Sequence, residues 1–131
     1  MPTEYVMLAV LILLALVNIL WAGAARTRQY GSEWNMGARD EKMPPLHPFP
    51  ARLLRAQANL FETLPLFVAA LLGAAAAGHF GPLTHWGSII YVAARIVYLP
   101  LYAAGVPKFR TLIFLVSLIG LLMVWAALLF G

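Results

Sequence analysis

The chain has 131 residues, 63% of them hydrophobic and 11% charged, with a formal net charge of +4 and no cysteine. A mean hydropathy of +0.83 excludes an ordinary soluble domain and marks an integral membrane protein with room for one domain. The missing thiols exclude disulfides, thiolate metal sites and a cysteine nucleophile, and the basic residues gather in loops and at helix ends rather than over a soluble nucleic-acid face.

Uncharged stretches at 5–25, 63–78, 80–94 and 111–131 reach or approach the roughly 20 helical residues that cross a hydrocarbon core. The second and third are short, so their helices extend into the polar residues beside them. The first predicted helix covers about 3–28, with Trp21 near one end, where an indole suits the interface. Its opening, Met1-Pro2-Thr3-Glu4, lacks the basic start of a signal peptide, so it reads as a span.

Residues 29–49 hold Gly31, Gly37, Pro44, Pro45 and Pro48 and read as a cytoplasmic loop. The second predicted helix covers about 50–78, with Pro50 in its first turn and Gly78 as its stop. The third covers about 83–104 and bends near Pro100. Gly105-Val106-Pro107 makes a tight connection to the fourth, at about 107–130. The expectation is an all-α membrane protein, a single four-transmembrane-helix bundle over 1–131.

Arg26, Arg28, Arg39, Lys42, Arg52 and Arg55 lie between or near the first two spans, and Lys108 and Arg110 precede the fourth. The second-to-third connection has no Lys or Arg. The positive-inside rule then puts both termini outside and the basic connections in the cytoplasm, as in a bacterial inner membrane with periplasmic termini.

Arg52, Arg55, Asn59 and Glu62 fall within roughly 80° of one another at about 100° per residue, so they share one face of the second helix. Polar groups so close to a span are expensive against lipid and should face the bundle interior or a wet cavity. Tyr91, Arg95, Tyr98 and Tyr102 repeat the device on the third helix, and Lys108 and Arg110 open the fourth at the same level. Glu62 can pair with Arg55 or Arg95 while Asn59 bridges helices. One carboxylate does not neutralise four guanidiniums, however, and the remainder suits an anionic ligand with more than one carboxylate or phosphate. His79 and His85 lie at the other end without a carboxylate or thiol beside them, so no metal site is expected.

The run Arg55-Ala-Gln-Ala-Asn59-Leu-Phe-Glu62-Thr-Leu-Pro65 resembles the signature of the MAPEG family, membrane-associated proteins in eicosanoid and glutathione metabolism. The similarity extends to 95–102, to Arg110-Thr111 at the start of the last helix, and to the length and layout of the chain. It implies a homotrimer of four-helix bundles with glutathione, as cosubstrate, between neighbouring subunits on the cytosolic side. Arg55, Asn59 and Glu62 would bind the tripeptide, Arg95 and Tyr102 would help to hold it, and Arg52 and Tyr98 lie on the same two stripes. Arg110 and Thr111 would face its sulfur as the catalytic pair.

The resemblance thus implies a membrane-bound glutathione transferase or peroxidase acting on hydrophobic electrophiles or lipid hydroperoxides from the bilayer. Ala58 stands where several eukaryotic members have a second basic residue, Tyr98 where some have histidine and Phe114 where some eicosanoid-forming members have tyrosine. This argues against a specialised eicosanoid synthase; a bacterial-type member is expected. Two other functions compete. A non-catalytic trimeric or lipid-binding subunit would keep the polar stripe for packing. A transport or proton-relay role would centre on Glu62, although no second intramembrane acid accompanies it.

Overall fold

A computed structural model describes residues Met1–Gly131. The chain is all-helical: α1 (Thr3–Tyr30), α2 (Ser32–Met36), α3 (Pro48–Ala77), α4 (Pro82–Ala104) and α5 (Pro107–Phe130). All but α2 are long and apolar enough to cross a membrane, and the protein is an integral membrane protein with four spans.

Proline and glycine set the ends of these helices. Pro48, Pro82 and Pro107 each open one, at positions where the missing N–H has no intrahelical partner to lose. The same logic admits both Pro48 and Pro50 to the first turn of α3, which therefore starts ahead of the expected position. Gly78 at φ 73° and Gly105 at φ 77° end α3 and α4 in the left-handed conformation. The amides that follow close back onto each helix, His79 to the Ala74 carbonyl at 2.8 Å and Val106 to the Leu101 carbonyl at 3.0 Å. Pro65 and Pro100 lie inside α3 and α4, and both helices continue through them, as membrane helices with packed neighbours can.

The expected loop at 29–49 is partly structured. Helix α1 runs on to Tyr30, and α2 follows after Gly31. The cause is Trp34, whose ring meets Tyr30 edge-on at 4.7 Å and carries the guanidiniums of Arg26 and Arg39 at 5.5 and 5.2 Å. Gln29 then grips the returning chain, donating to the Pro45 carbonyl at 3.1 Å and accepting from the His47 amide at 2.8 Å. Those contacts fix where α3 enters the bundle.

Helices α3 and α4 pack against each other and against both remaining spans, whereas α1 and α5 do not touch. The largest core forms where α1, α3, α4 and α5 meet around Phe67 and Tyr91, whose rings stack at 4.3 Å. The Tyr91 hydroxyl is satisfied by Thr63 at 2.7 Å. A second core of Ala22, Leu53, Ala56, Leu99 and Ala103 lies nearer the basic end of the bundle, and its small residues let α1, α3 and α4 approach closely.

The tightest approach joins α4 to α5. A Cβ added to Gly120 would lie 2.5 Å from the Tyr91 nitrogen, and one added to Gly87 would lie 2.9 Å from the Gly120 carbonyl oxygen. Only glycine permits that spacing. At the same end, His79 Nδ1 lies 3.1 Å from the carbonyl oxygens of both Ala127 and Leu128, the last turn of α5. The Glu4 carboxylate accepts a 2.6 Å hydrogen bond from Thr84, so the polar groups of this end are used to join helices.

Candidate functional site

At the basic end, the stops and starts of three helices converge. Arg52 and Arg55 come from the first turns of α3, Tyr102 and Gly105 from the end of α4, and Pro107 and Arg110 from the start of α5. They line a cavity of about 320 Å³. Three of its six lining residues are arginines and none is acidic. Its lining therefore favours an anion.

Two of the arginines are anchored within the subunit and the third approaches one of those anchors. Arg52 Nε donates to the Ala103 carbonyl at 2.8 Å, which ties α3 to the last turn of α4. The Arg110 guanidinium stacks on Tyr102 with its carbon 4.5 Å from the ring centroid, and Arg55 approaches the same ring at 5.9 Å. Tyr102 thus spaces two cations that would repel if free, because its π-face attracts both.

Deeper in the bundle, the stripe continues as a second cluster. Tyr98 meets Tyr102 edge-on at 5.5 Å, and the Arg95 guanidinium lies 4.4 Å from the Tyr98 ring and 5.7 Å from that of Phe114. Arg95 is only 2% exposed. Its Nη2 donates to Asn59 Oδ1 at 2.8 Å, while its Nε and Nη1 are buried without a partner.

The structure therefore brings together Arg52, Arg55, Tyr102 and Arg110 around the cavity, and Asn59, Arg95 and Tyr98 beneath it. It does not bring in Glu62 or Thr111. The α3 stripe divides: Asn59 turns inward and Arg55, though exposed, lines the cavity, whereas Glu62 is exposed on the outer surface of the subunit and faces neither the interior nor that cavity. The residues are coplanar on their own helix, but α4 covers only one edge of the stripe. Nor does Glu62 pair with Arg95, whose direct partner is Asn59. Thr111 is exposed, and its hydroxyl donates to the Pro107 carbonyl of its own helix at 3.1 Å, as hydroxyls in helices commonly do.

Sequence reasoning missed Asn18. This α1 residue is 1% exposed and donates from Nδ2 to the Leu53 carbonyl at 3.2 Å, beside the Arg95 cluster. A signal for it existed: Asn18 is the one amide in an apolar span, in register with Leu11, Ala15 and Ala22 on the buried face of α1. The Ala103 carbonyl could not have been found, since a backbone acceptor leaves no mark in the sequence.

The family model of the MAPEG family matches residues 6–130. No curated protein and no solved structure matches the chain.

Proposed function

The chain belongs to the MAPEG family, and from that premise we propose that it is a membrane-bound glutathione-dependent transferase or peroxidase acting on hydrophobic electrophiles or lipid hydroperoxides. The observation that carries the reading is the acid-free cavity walled by Arg52, Arg55 and Arg110. Glutathione offers two carboxylates to such a wall, and guanidinium forks bind carboxylates in paired hydrogen bonds. Its amino group calls for an acceptor, and Glu62 stands on the neighbouring surface without an ion-pair partner.

Glu62 also supports a homotrimer. An ionised carboxylate on the outer face of a span costs a few kcal/mol when it meets lipid. A second copy of the chain, laid over the exposed Arg55 and Glu62, removes that cost and closes the open side of the site. Family membership favours the same arrangement. The distribution of basic residues supports a cytoplasmic site and periplasmic termini in a bacterial inner membrane.

In this reading, Arg110 acts on the sulfur. A thiol with an ordinary pKa near 8.5 is a few per cent thiolate at neutral pH, and lowering it by two units takes about 2.7 kcal/mol of preferential stabilisation of the anion. A guanidinium stacked on an aromatic ring and facing a partly dry cavity is suited to that work. The thiolate sulfur forms its new bond to an electrophilic carbon of the lipophile, whose leaving group departs with the electron pair. With a hydroperoxide, the sulfur attacks the distal peroxide oxygen and the O–O bond breaks to release an alcohol. The resulting sulfenic acid condenses with a second glutathione thiol to glutathione disulfide and water. The Thr111 hydroxyl is engaged with Pro107 and serves the first turn of α5, so the sulfur contact falls to Arg110.

The second reading, a non-catalytic packing or lipid-binding subunit, draws on Arg52 and Arg95, which already bond within the subunit to Ala103 and Asn59. Thermal unfolding of the detergent-purified protein across glutathione and S-hexylglutathione concentrations separates the two. A ligand at about a hundred times its Kd stabilises by about 2.7 kcal/mol. A midpoint that rises with both compounds, and not with an acidic control peptide, supports the transferase. Unmoved midpoints leave the packing reading in possession of the stripe.

A further inference from the structure

We infer that one water molecule, held between Asn18 of α1 and Arg95 of α4, is an integral part of this fold, and that Asn18 positions Arg95 through it. The two side chains lie on the wall of one internal space of about 10 Å³, closed otherwise by Tyr98 and aliphatic residues. That volume is close to a single water-sized probe.

The two polar residues Asn18 and Arg95 have complementary hydrogen-bonding capacity left over. Arg95 is a buried cation with one direct partner, Asn59, taken by Nη2, and both Nε and Nη1 remain unpaired. The rings of Tyr98 and Phe114 cover the flat face of the guanidinium, so its remaining valence lies in its plane. Asn18 gives its Nδ2 to the Leu53 carbonyl, which leaves its Oδ1 as an acceptor with nothing to accept. A residue with two unpaired donors and a residue with an unused acceptor thus share the wall of one small space. A water accepts from Arg95 and donates to Asn18, which meets the two or more polar partners that buried waters of this kind usually have. Without it, the donors of a buried cation are left unsatisfied, among the more destabilising defects a protein can carry.

The consequence reaches the candidate site. Helix α1 supplies no side chain to the cavity of Arg52, Arg55 and Arg110, yet through Asn18 it fixes the orientation in which Arg95 meets Asn59 and supports Tyr98. Asn18 is thus a positioning residue. This last step rests on the reading of Arg95 and Asn59 as part of a glutathione site, whereas the water does not.

The test has two independent arms. The first uses no glutathione: a double-mutant cycle of Asn18→Leu and Arg95→Met, read by equilibrium unfolding in detergent. A water bridge predicts that the two substitutions couple by about tenfold in the unfolding equilibrium, since each removes one end of the same link, whereas effects that multiply independently to within about twofold overturn it. If a variant does not fold, a structure of the wild type at a resolution that shows ordered waters decides: density between Asn18 and Arg95 supports the site, and a cavity without it overturns the site. The second arm measures glutathione affinity of Asn18→Leu against wild type by calorimetry. A loss of three- to tenfold is expected, with Asn18→Ser, which keeps an oxygen and room for water, recovering most of it. An unchanged affinity overturns the positioning role. A wild type that binds no glutathione overturns the function proposed above and with it that role, and leaves the water to the first arm.

Discussion

Arg95 and Asn59 meet at 2.8 Å between α4 and α3, and this is the only direct hydrogen bond the buried guanidinium makes. A charge this deep is held in place by a neutral amide and two aromatic faces rather than by a carboxylate. Replacing Asn59 by leucine removes the bond and strands the cation, a loss expected to cost about 2–3 kcal/mol. Adding Arg95→Met to Asn59→Leu should restore much of the lost stability, because both partners are then apolar. Chemical unfolding of the two variants in detergent checks this, and equal instability in both would count against it.

Gly120 should tolerate no side chain. Its absent Cβ would sit 2.5 Å from the Tyr91 nitrogen, a backbone atom that cannot swing aside, so Gly120→Ala must push α4 from α5. A loss of about 1–3 kcal/mol or more is expected from such overpacking. Gly23 provides the internal control, since nothing lies within 4 Å of a Cβ placed there. Gly23→Ala should be neutral or stabilising by up to about 1 kcal/mol, because alanine favours the helix. Thermal midpoints of the pair measured side by side settle the matter.

Arg110→Gln should keep the fold and lose the chemistry. The side chain stacks on Tyr102 at the edge of the bundle and takes no part in either core. On the transferase reading, the bound thiol then returns toward its ordinary pKa, and the thiolate fraction at neutral pH drops by about ten- to a hundredfold. Ultraviolet titration of the thiolate in the complex would record the change. An unshifted titration in the variant would show that Arg110 does not act on the sulfur.

Glu62→Gln makes the opposite separation. Glu62 contacts no polar partner in its own subunit, so its replacement should leave the unfolding of an isolated subunit unchanged. Glutathione affinity should fall by roughly tenfold, the worth of one charge-assisted hydrogen bond of about 1.4 kcal/mol. Calorimetry on assembled protein, together with its mass in detergent, distinguishes a lost ligand contact from a lost subunit contact. Full affinity with intact assembly would remove Glu62 from the site.

The four spans were legible because each carries an apolar run, and their ends because proline and glycine act locally. The aromatic and basic stripe of α4 was equally plain, since Tyr91, Arg95 and Tyr98 all point to the packed face and are buried together. The stripe of α3 was legible as a shared face but not in how much of it a neighbour covers. Helical periodicity says which residues share a face, but the neighbour that covers the face decides which of them are buried, and α4 reaches Asn59 without reaching Glu62. Thr111 follows Arg110 in sequence, but one helical step turns it about 100° away, and only the structure shows its hydroxyl engaged with Pro107. The structured segment around Trp34 depends on contacts between α1 and α2 that a reading of turn residues does not weigh.

The glycine contact of α4 and α5 sets the frame on which the basic end is built. Gly87 and Gly120 bring the two helices together away from the cavity, and the short turn at Gly105 joins them beside it, so the pair forms one hairpin. Tyr102 and Arg110 stand on its two arms beside the turn, and α3 is tied to the same hairpin by the hydrogen bond from Arg52 to the Ala103 carbonyl.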